Sequence, residues 1–403
     1  MINLEVPKKA GALVNQAYQA ASEVFRPISR KYDRAEHTYP TELDMLAALL
    51  DGLNSSGQGG AGAAGVRRDE KNDGPQGNRN GANLNIVLGT IEMCWGDVGL
   101  LLSMPRQGLG NAAIGSVANT EQLERFGKLW AAMAITEPDC GSDSAAITAT
   151  AKLDGDEYVL NGEKIFVTSG QRADAVVVWA TLDKSVGRAA IKSFVVEKGT
   201  PGFEVVRVEH KLGIRASDTA VLRFENCRVP KENLLGSPEI DTKKGFAGVM
   251  QTFDNTRPLV AAMAIGVARA ALEETARVLS EAGIEVDYDK PANNQHAAAA
   301  AYLQLEADYE AAYLLTMESA WMADNRQPNS LQASMAKAKA GRSVVDITLR
   351  CVELAGTLGY TEESLLEKWS RDAKILDIFE GTQQIQQLIV ARRLLGKSSA
   401  ELK

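Results

Sequence analysis

The hydrophobic period of this chain changes twice, and few folds are compatible with such a pattern. Up to about residue 133 apolar residues recur at spacings of three and four, as in "GALVNQAYQAASEVFRPISRKYD", where Leu13, Ala17, Ala20 and Val24 share one helical face. After Ile135 the texture becomes β-branched runs broken by turn residues, in "EYVLNGEKIFVTSG", "ADAVVVWATL", "IKSFVVEKG", "GFEVVRVEH" and "TAVLRFENCRV". The Asn161-Gly162 pair in the first of these predicts a hairpin turn. From Gly245 the helical period returns in three runs, beginning with "RPLVAAMAIGVARAALEETARVLSEAG", each long enough for a bundle helix. The expectation is a mainly α chain with a β-domain between two helical ones, divided at residues 1–133, 134–242 and 243–403.

Between the first helices lies a Gly-, Asn- and Asp-rich stretch without periodicity, which reads as a long surface loop over residues 54–83. Its overlapping GxGxxG matches follow a helical pattern instead of a strand, so they are accidents of composition. Lys and Arg are dispersed in a chain of net charge -8, which gives nucleic-acid binding no electrostatic support. The four cysteines, Cys94, Cys140, Cys227 and Cys351, are far apart, and three histidines give no zinc-site spacing along the chain, so no metal is expected. The longest apolar stretch, Pro258 to Ala268, is too short to span a bilayer, and with no apolar leader the expected location is cytoplasmic.

Three segments carry chemistry: "AITEPDCGSD" (134–143), "EKIFVTSG" (163–170) and "RDAKILDIFEGTQQIQ" (371–386). Together with "HKLGIRASDT", "VPKENLLG", "FDNTRP" and "ELAGTLGYTEESLLEKWSRD", in that order along the chain, they resemble the FAD-dependent acyl-CoA dehydrogenase family. The resemblance covers nearly the whole chain and implies an N-terminal helical domain, a β-barrel-like middle domain and a C-terminal four-helix bundle. It also implies α,β-dehydrogenation of an acyl-CoA thioester to a trans-2-enoyl-CoA, with electrons passed to an electron-transfer flavoprotein.

Such a reaction needs a base for a weakly acidic proton and an acceptor for a hydride, and since no side chain accepts hydride a cofactor must. The resemblance makes that cofactor FAD and the base Glu380. Read from its position alone, Glu380 is an acid near the start of a helix with Ile385, Leu388 and Ile389 as apolar positions and Thr382 as cap, where the helix end would lower its pKa. A base would need desolvation by bound acyl chain and flavin to push the other way. The family pattern implies flavin contacts at Met133, Ile135, Thr136, Ser142, Phe166, Thr168, Gly381, Thr382 and Gln384. Phe166 stands where a Trp is more usual, and Cys140 reads as a small buried hydrophobe. Ser142, Asp254, Arg257 and Arg392 are implied as substrate contacts, Asp254 and Arg257 lying at what reads as a helix start with Pro258 in its first turn. Some relatives carry their base at the position of Thr256, which leaves Glu380 as the candidate here.

The pattern departs from the family where a neighbouring subunit would reach FAD. Ala282 and Glu285 occupy the places of an Arg and a Phe, and the second donated motif reads "ELAGTLG", with Glu353, Gly356 and Thr357. An acid beside a pyrophosphate is electrostatically wrong. The resemblance therefore implies a homologous subunit in a hetero- or homotetramer, with Arg277 as a substitute cation in the second case. Two other functions stay open: an acyl-CoA oxidase, which would release hydrogen peroxide in air, and a non-catalytic structural subunit, which would have no physical need for the intact base and ring-side motif.

Overall fold

The computed structural model describes residues 6–55, 81–106, 108–240, 247–397 and 401, with side chains for all of these except 49–55 and 247–255. Most of the 54–83 stretch and its GxGxxG matches lie outside the described residues. The N-terminal part consists of α1 (Gly11–Ala20), which continues through a π-turn into α2 (Arg26–Arg34), then α3 (Glu42–Ser55), α4 (Ala82–Gly96), α5 (Val98–Leu102), α6 (Leu109–Val117) and α7 (Thr120–Phe126). The strands follow as β1 (Ala131–Ala134), β2 (Thr150–Asp154), β3 (Glu157–Thr168), β4 (Ala175–Thr181), β5 (Ile191–Glu197), β6 (Phe203–Val208) and β7 (Thr219–Pro230). The last part is α8 (Ala247–Glu281), α9 (Ala297–Asp324), α10 (Ser330–Leu354), α11 (Gly356–Tyr360), α12 (Leu366–Leu376) and α13 (Gln383–Leu395). The twofold change of period is thus the architecture itself: helices, one sheet, helices.

The sheet runs β1-β4-β2-β3-β7-β6, with β5 paired to β4. The Asn161-Gly162 hairpin is not formed, because β3 passes straight through that pair. Its pairing with β7 slips between Leu160 and Gly162, making a bulge, and Asn161 Oδ1 accepts the Asn226 N–H at 2.8 Å. Only Gly162 of the two has positive φ, whereas the tight hairpin turn needs it at both. The chain turns instead at Gly155, φ +65, where Asp154 pairs with Glu157.

Pro258 also departs from expectation: it lies inside α8, eleven residues after the start. A proline there removes one ladder bond and costs about 3 kcal/mol in isolation, which the packing of α8 between α4, α9 and α10 outweighs. Ile91 and Cys94 of α4, Ile265 and Ala268 of α8, Met317 of α9 and Val344 of α10 share one buried cluster.

All three parts of the chain meet at Lys368 of α12, which is 2% exposed. Its Nζ donates to Asp97 Oδ2 at 2.7 Å and to Asp372 Oδ2 at 2.5 Å. Asp97 caps α5 by accepting the Leu100 N–H and also accepts the Ser29 hydroxyl of α2, while Asp372 Oδ1 accepts the Ile214 N–H of the sheet domain. Burial opposes the lysine charge, but the two carboxylates outweigh it and raise the Lys368 pKa. Lys368→Met is expected to leave two buried carboxylates facing each other, costing about 3–5 kcal/mol in chemical denaturation.

Candidate active site

Glu380 follows the C-terminal end of α12 in a turn whose backbone is left-handed at two successive residues, Glu380 at φ +57 and Gly381 at φ +87. A non-glycine residue there carries local strain, and strain persists only where neighbours hold it. Three of them do. Gln386 of α13, fully buried, donates from Nε2 to the Glu380 carbonyl at 3.0 Å and the Gly381 carbonyl at 3.3 Å. Lys337 of α10, 1% exposed, donates from Nζ to the Gly381 carbonyl at 2.8 Å. Thr382 caps α13, its hydroxyl accepting the Ile385 N–H at 3.3 Å. Glycine is favoured at 381 by its φ of +87, and a Cβ there would also lie 2.4 Å from Gln386 Nε2, forcing that side chain to shift.

This turn directs the Glu380 carboxylate at α8, where the Thr256 hydroxyl donates to Oε2 at 2.9 Å. The two positions that the family pattern offers for a base therefore touch. Glu380 keeps part of its surface open, yet loss of hydration by burial is the largest influence on it and raises its pKa. The Thr256 hydrogen bond and the charges of Arg257 and Lys337 pull the other way without cancelling it. The sequence suggested that a helix end would lower this pKa and that only bound ligands could raise it; the protein's own packing already does so. The same burial lowers Lys337 to about 8, against the pull of Asp377 and Glu380.

A second group of residues lies on the sheet. Phe166 occupies a bulge of β3, between Lys164 and Val167 in the pairing with β7, with φ +56 and 62% of its surface exposed. The strained backbone holds the aromatic ring outward, where a flat ligand could cover it. Beside it, the Ile165 N–H donates to the Thr136 carbonyl at 2.9 Å, which joins β3 to the segment after β1. A buried ion pair fixes that segment: Lys164 Nζ donates to Glu137 Oε1 at 2.8 Å and to the Ile135 carbonyl at 2.9 Å. Glu137 further accepts from Thr148 and Ala149, and these contacts with the lysine charge hold its pKa below the ordinary value although burial opposes them. Cys140 is buried with Ile147, Trp179 and Ile191, as the sequence suggested, and Met133 and Ile135 pack on that cluster.

Residues 132–227 match the family model described as "Acyl-CoA dehydrogenase, middle domain", and residues 243–395 the one described as "Acyl-CoA dehydrogenase, C-terminal domain". A short-chain specific acyl-CoA dehydrogenase of Clostridium acetobutylicum is 34% identical over 315 residues, 77% of this chain and 81% of that enzyme. The chain belongs to the acyl-CoA dehydrogenase family. The mitochondrial short-chain specific acyl-CoA dehydrogenase of Rattus norvegicus is 40% identical over 272 residues, and the match spans 62% of that enzyme's length. The butyryl-CoA dehydrogenase structure from Megasphaera elsdenii superposes with a TM-score of 0.80 at 29% identity, covering 98% of this chain and 100% of that one.

The cofactor of an acyl-CoA dehydrogenase is FAD, and the sheet group fits it: an outward aromatic ring at Phe166, half-buried Met133, Ile135, Thr136 and Thr168, and an exposed Ser142. Gly381 and Thr382 lie in the Glu380 turn, whereas Gln384 is exposed on α13. Arg257 is buried beside Thr256 on α8, and the Asp254 side chain lies outside the described residues. Arg392 sits in the last turn of α13, nine residues beyond its start and so about 14 Å along the axis. Glu353, Gly356 and Thr357 are exposed around the α10–α11 junction, Glu353 paired with Arg350. Ala282 and Glu285 are exposed, and Arg277 is engaged by Glu274 and Glu281 at 2.7 and 2.5 Å. Of the apolar positions read on α13, Leu388 is 46% exposed, while the buried position of that helix is Gln386.

Sequence reasoning did not find Lys337, Gln386, Lys164 or Glu137, although the two lysines of the run "SMAKAKAGRS", Lys337 and Lys339, were the available signal for the first. Because the folded pKa of Glu380 is raised, the folded state binds its proton more tightly than the unfolded chain. Stability from this group therefore falls as pH rises from the ordinary carboxylate range through the raised value. Glu380→Gln is expected to raise the thermal midpoint at pH 7, the gain shrinking as pH drops through the raised value into the ordinary carboxylate range, as followed by calorimetry across pH.

Proposed function

We propose that this chain catalyses the α,β-dehydrogenation of an acyl-CoA thioester to a trans-2-enoyl-CoA, with Glu380 taking the α-proton. The observation that carries this reading is the Glu380 carboxyl, held by a strained turn on the Thr256 hydroxyl with a pKa raised by burial. A stronger base at neutral pH is what a weakly acidic C–H requires. Thr256 fixes which carboxylate oxygen is engaged, leaving Oε1 as the proton acceptor. Lys337 and Gln386 hold the backbone under it, so the carboxylate meets substrate in one orientation. Bound FAD would supply the acceptor for the β-hydride. Met133, Ile135, Thr136, Ser142, Phe166 and Thr168 would hold it together with Gly381, Thr382 and Gln384, while Ser142, Asp254, Arg257 and Arg392 would bind the acyl-CoA.

Relatives named for short chains support a short acyl group, and an electron-transfer flavoprotein is the proposed electron acceptor. Exposed Leu388, Leu394 and Leu395 of α13, with Tyr360 after the altered donated motif, support a homologous subunit covering that face in a tetramer. With Arg277 spent on two carboxylates and Glu285 in place of a ring, a non-identical partner supplying the missing cation is the preferred form.

Under anaerobic conditions butyryl-CoA is expected to bleach the visible flavin band of the wild-type protein. Glu380→Gln should keep its FAD, bleach no further, and turn over roughly 10²–10⁴-fold more slowly. Unchanged bleaching in that variant would remove Glu380 from the reaction. Lys337→Met takes away a charge that depresses the Glu380 pKa. The acid limb of its kcat/KM profile is accordingly expected to move to higher pH, whereas a purely structural role would lower the rate without moving that limb.

A further inference from the structure

Two of the three histidines of this chain, separated by more than 170 residues, come face to face. His37 lies after α2, in the helical N-terminal part, and His210 lies after β6, in the sheet domain. His37 Nε2 is 3.3 Å from His210 Nδ1, and the rings meet at 72° with centroids 4.8 Å apart. Glu36 completes the group: its Oε2 is 3.0 Å from His210 Nδ1, while Oε1 is anchored by the Lys211 N–H at 2.8 Å. All three candidate ligand atoms lie within 4.8 Å of one another.

We infer that Glu36, His37 and His210 form a binding site for a divalent transition metal of the zinc class. A tetrahedral ion with bonds of about 2.0–2.1 Å keeps its ligand atoms about 3.3–3.4 Å apart. Two of the three separations match that edge to within a few tenths of an ångström, while the group as a whole extends up to 4.8 Å, so a bound ion would draw Glu36 and His37 together by a side-chain adjustment. Two imidazoles and a carboxylate are the donor set that zinc and its neighbours accept. Without an ion the three groups are poorly matched: one N–H on His210 Nδ1 cannot serve both the Glu36 carboxylate and the His37 nitrogen fully. A metal ion takes a lone pair from each at once, with both rings neutral. His37 has a left-handed backbone, φ +69, a conformation that histidine tolerates better than most residues.

The local charge does not forbid a cation. Lys211 and Arg172 disfavour positive charge on His37. Lys211 keeps its charge while donating to the Ser217 carbonyl at 2.6 Å, but Arg172 is offset by Asp218, and the Glu36 carboxylate favours positive charge at the group. The His210 side chain is 83% exposed, so an ion can reach the group from solvent and keep water as its fourth ligand. Bound there, it would clamp the α2–α3 connection to the β6–β7 connection, adding a coordinate crosslink between the helical and sheet parts.

The test uses the full-length protein stripped with a chelator and titrated with Zn²⁺ calorimetrically and with Co²⁺ as a visible-absorption probe. One equivalent per chain is expected, with the intense visible bands of four-coordinate cobalt and a Zn²⁺-dependent rise in thermal midpoint. His210→Ala, at an exposed position, and His37→Asn, which tolerates the left-handed backbone, should each weaken binding at least about tenfold. His296→Ala should leave it unchanged, because that residue caps α9 elsewhere. Absence of the one-equivalent binding, or the same affinity in the His210→Ala protein, would overturn the site.

Discussion

A single buried ammonium group joins this chain into one molecule. Lys368 reaches from α12 to Asp97, which belongs to the N-terminal helices, and to Asp372, which in turn receives a backbone N–H from the sheet domain at Ile214. One cation with two carboxylates is favourable only if every remaining lone pair is used, and Ser29, Leu100 and Ile214 use them. Hydrophobic burial can bring three parts together in many relative positions, but this network accepts only one. The geometry of a site assembled from different parts of the chain therefore depends on it.

The same device recurs on a smaller scale. Lys164, Lys337 and Lys368 are among the largest fully buried side chains of the protein, and each reaches a segment between regular elements, Lys368 also binding Asp372 of its own helix. Lys164 holds the Ile135–Glu137 segment beside Phe166, and Lys337 holds the carbonyl of Gly381 beneath Glu380. Placing the charge on a long side chain lets a rigid helix or strand control a loop from below while leaving the upper face of that loop open for ligand. The cost is desolvation of the ammonium, visible in the lowered pKa values of Lys164 and Lys337.

Much of the site was legible in the sequence, though its support was not. The "EGT" motif marked Glu380, and Thr382 was recognisable as a cap because its hydroxyl precedes a helical period by a fixed offset. Local patterns also misled. Asn161-Gly162 reads as a turn by its own propensity, but pairing along β7 on one side and Ala149 on the other pulls it into a bulge. Pro258 reads as a helix start for the same reason, and packing on α4, α9 and α10 carries the helix through it.

What the sequence determined by itself was the order of helix, sheet and helix, the family, and the carboxylate to propose as base, because periodicity and short motifs are properties of neighbouring residues. Tertiary structure alone decided which distant groups meet: Thr256 on Glu380, Lys337 under Gly381, and His37 against His210. Such contacts depend on how rigid elements pack, and spacing along the chain carries no record of that. It also decided the sign of the Glu380 pKa shift. A helix end acts through the few residues beside it, whereas desolvation sums over everything that packing brings near.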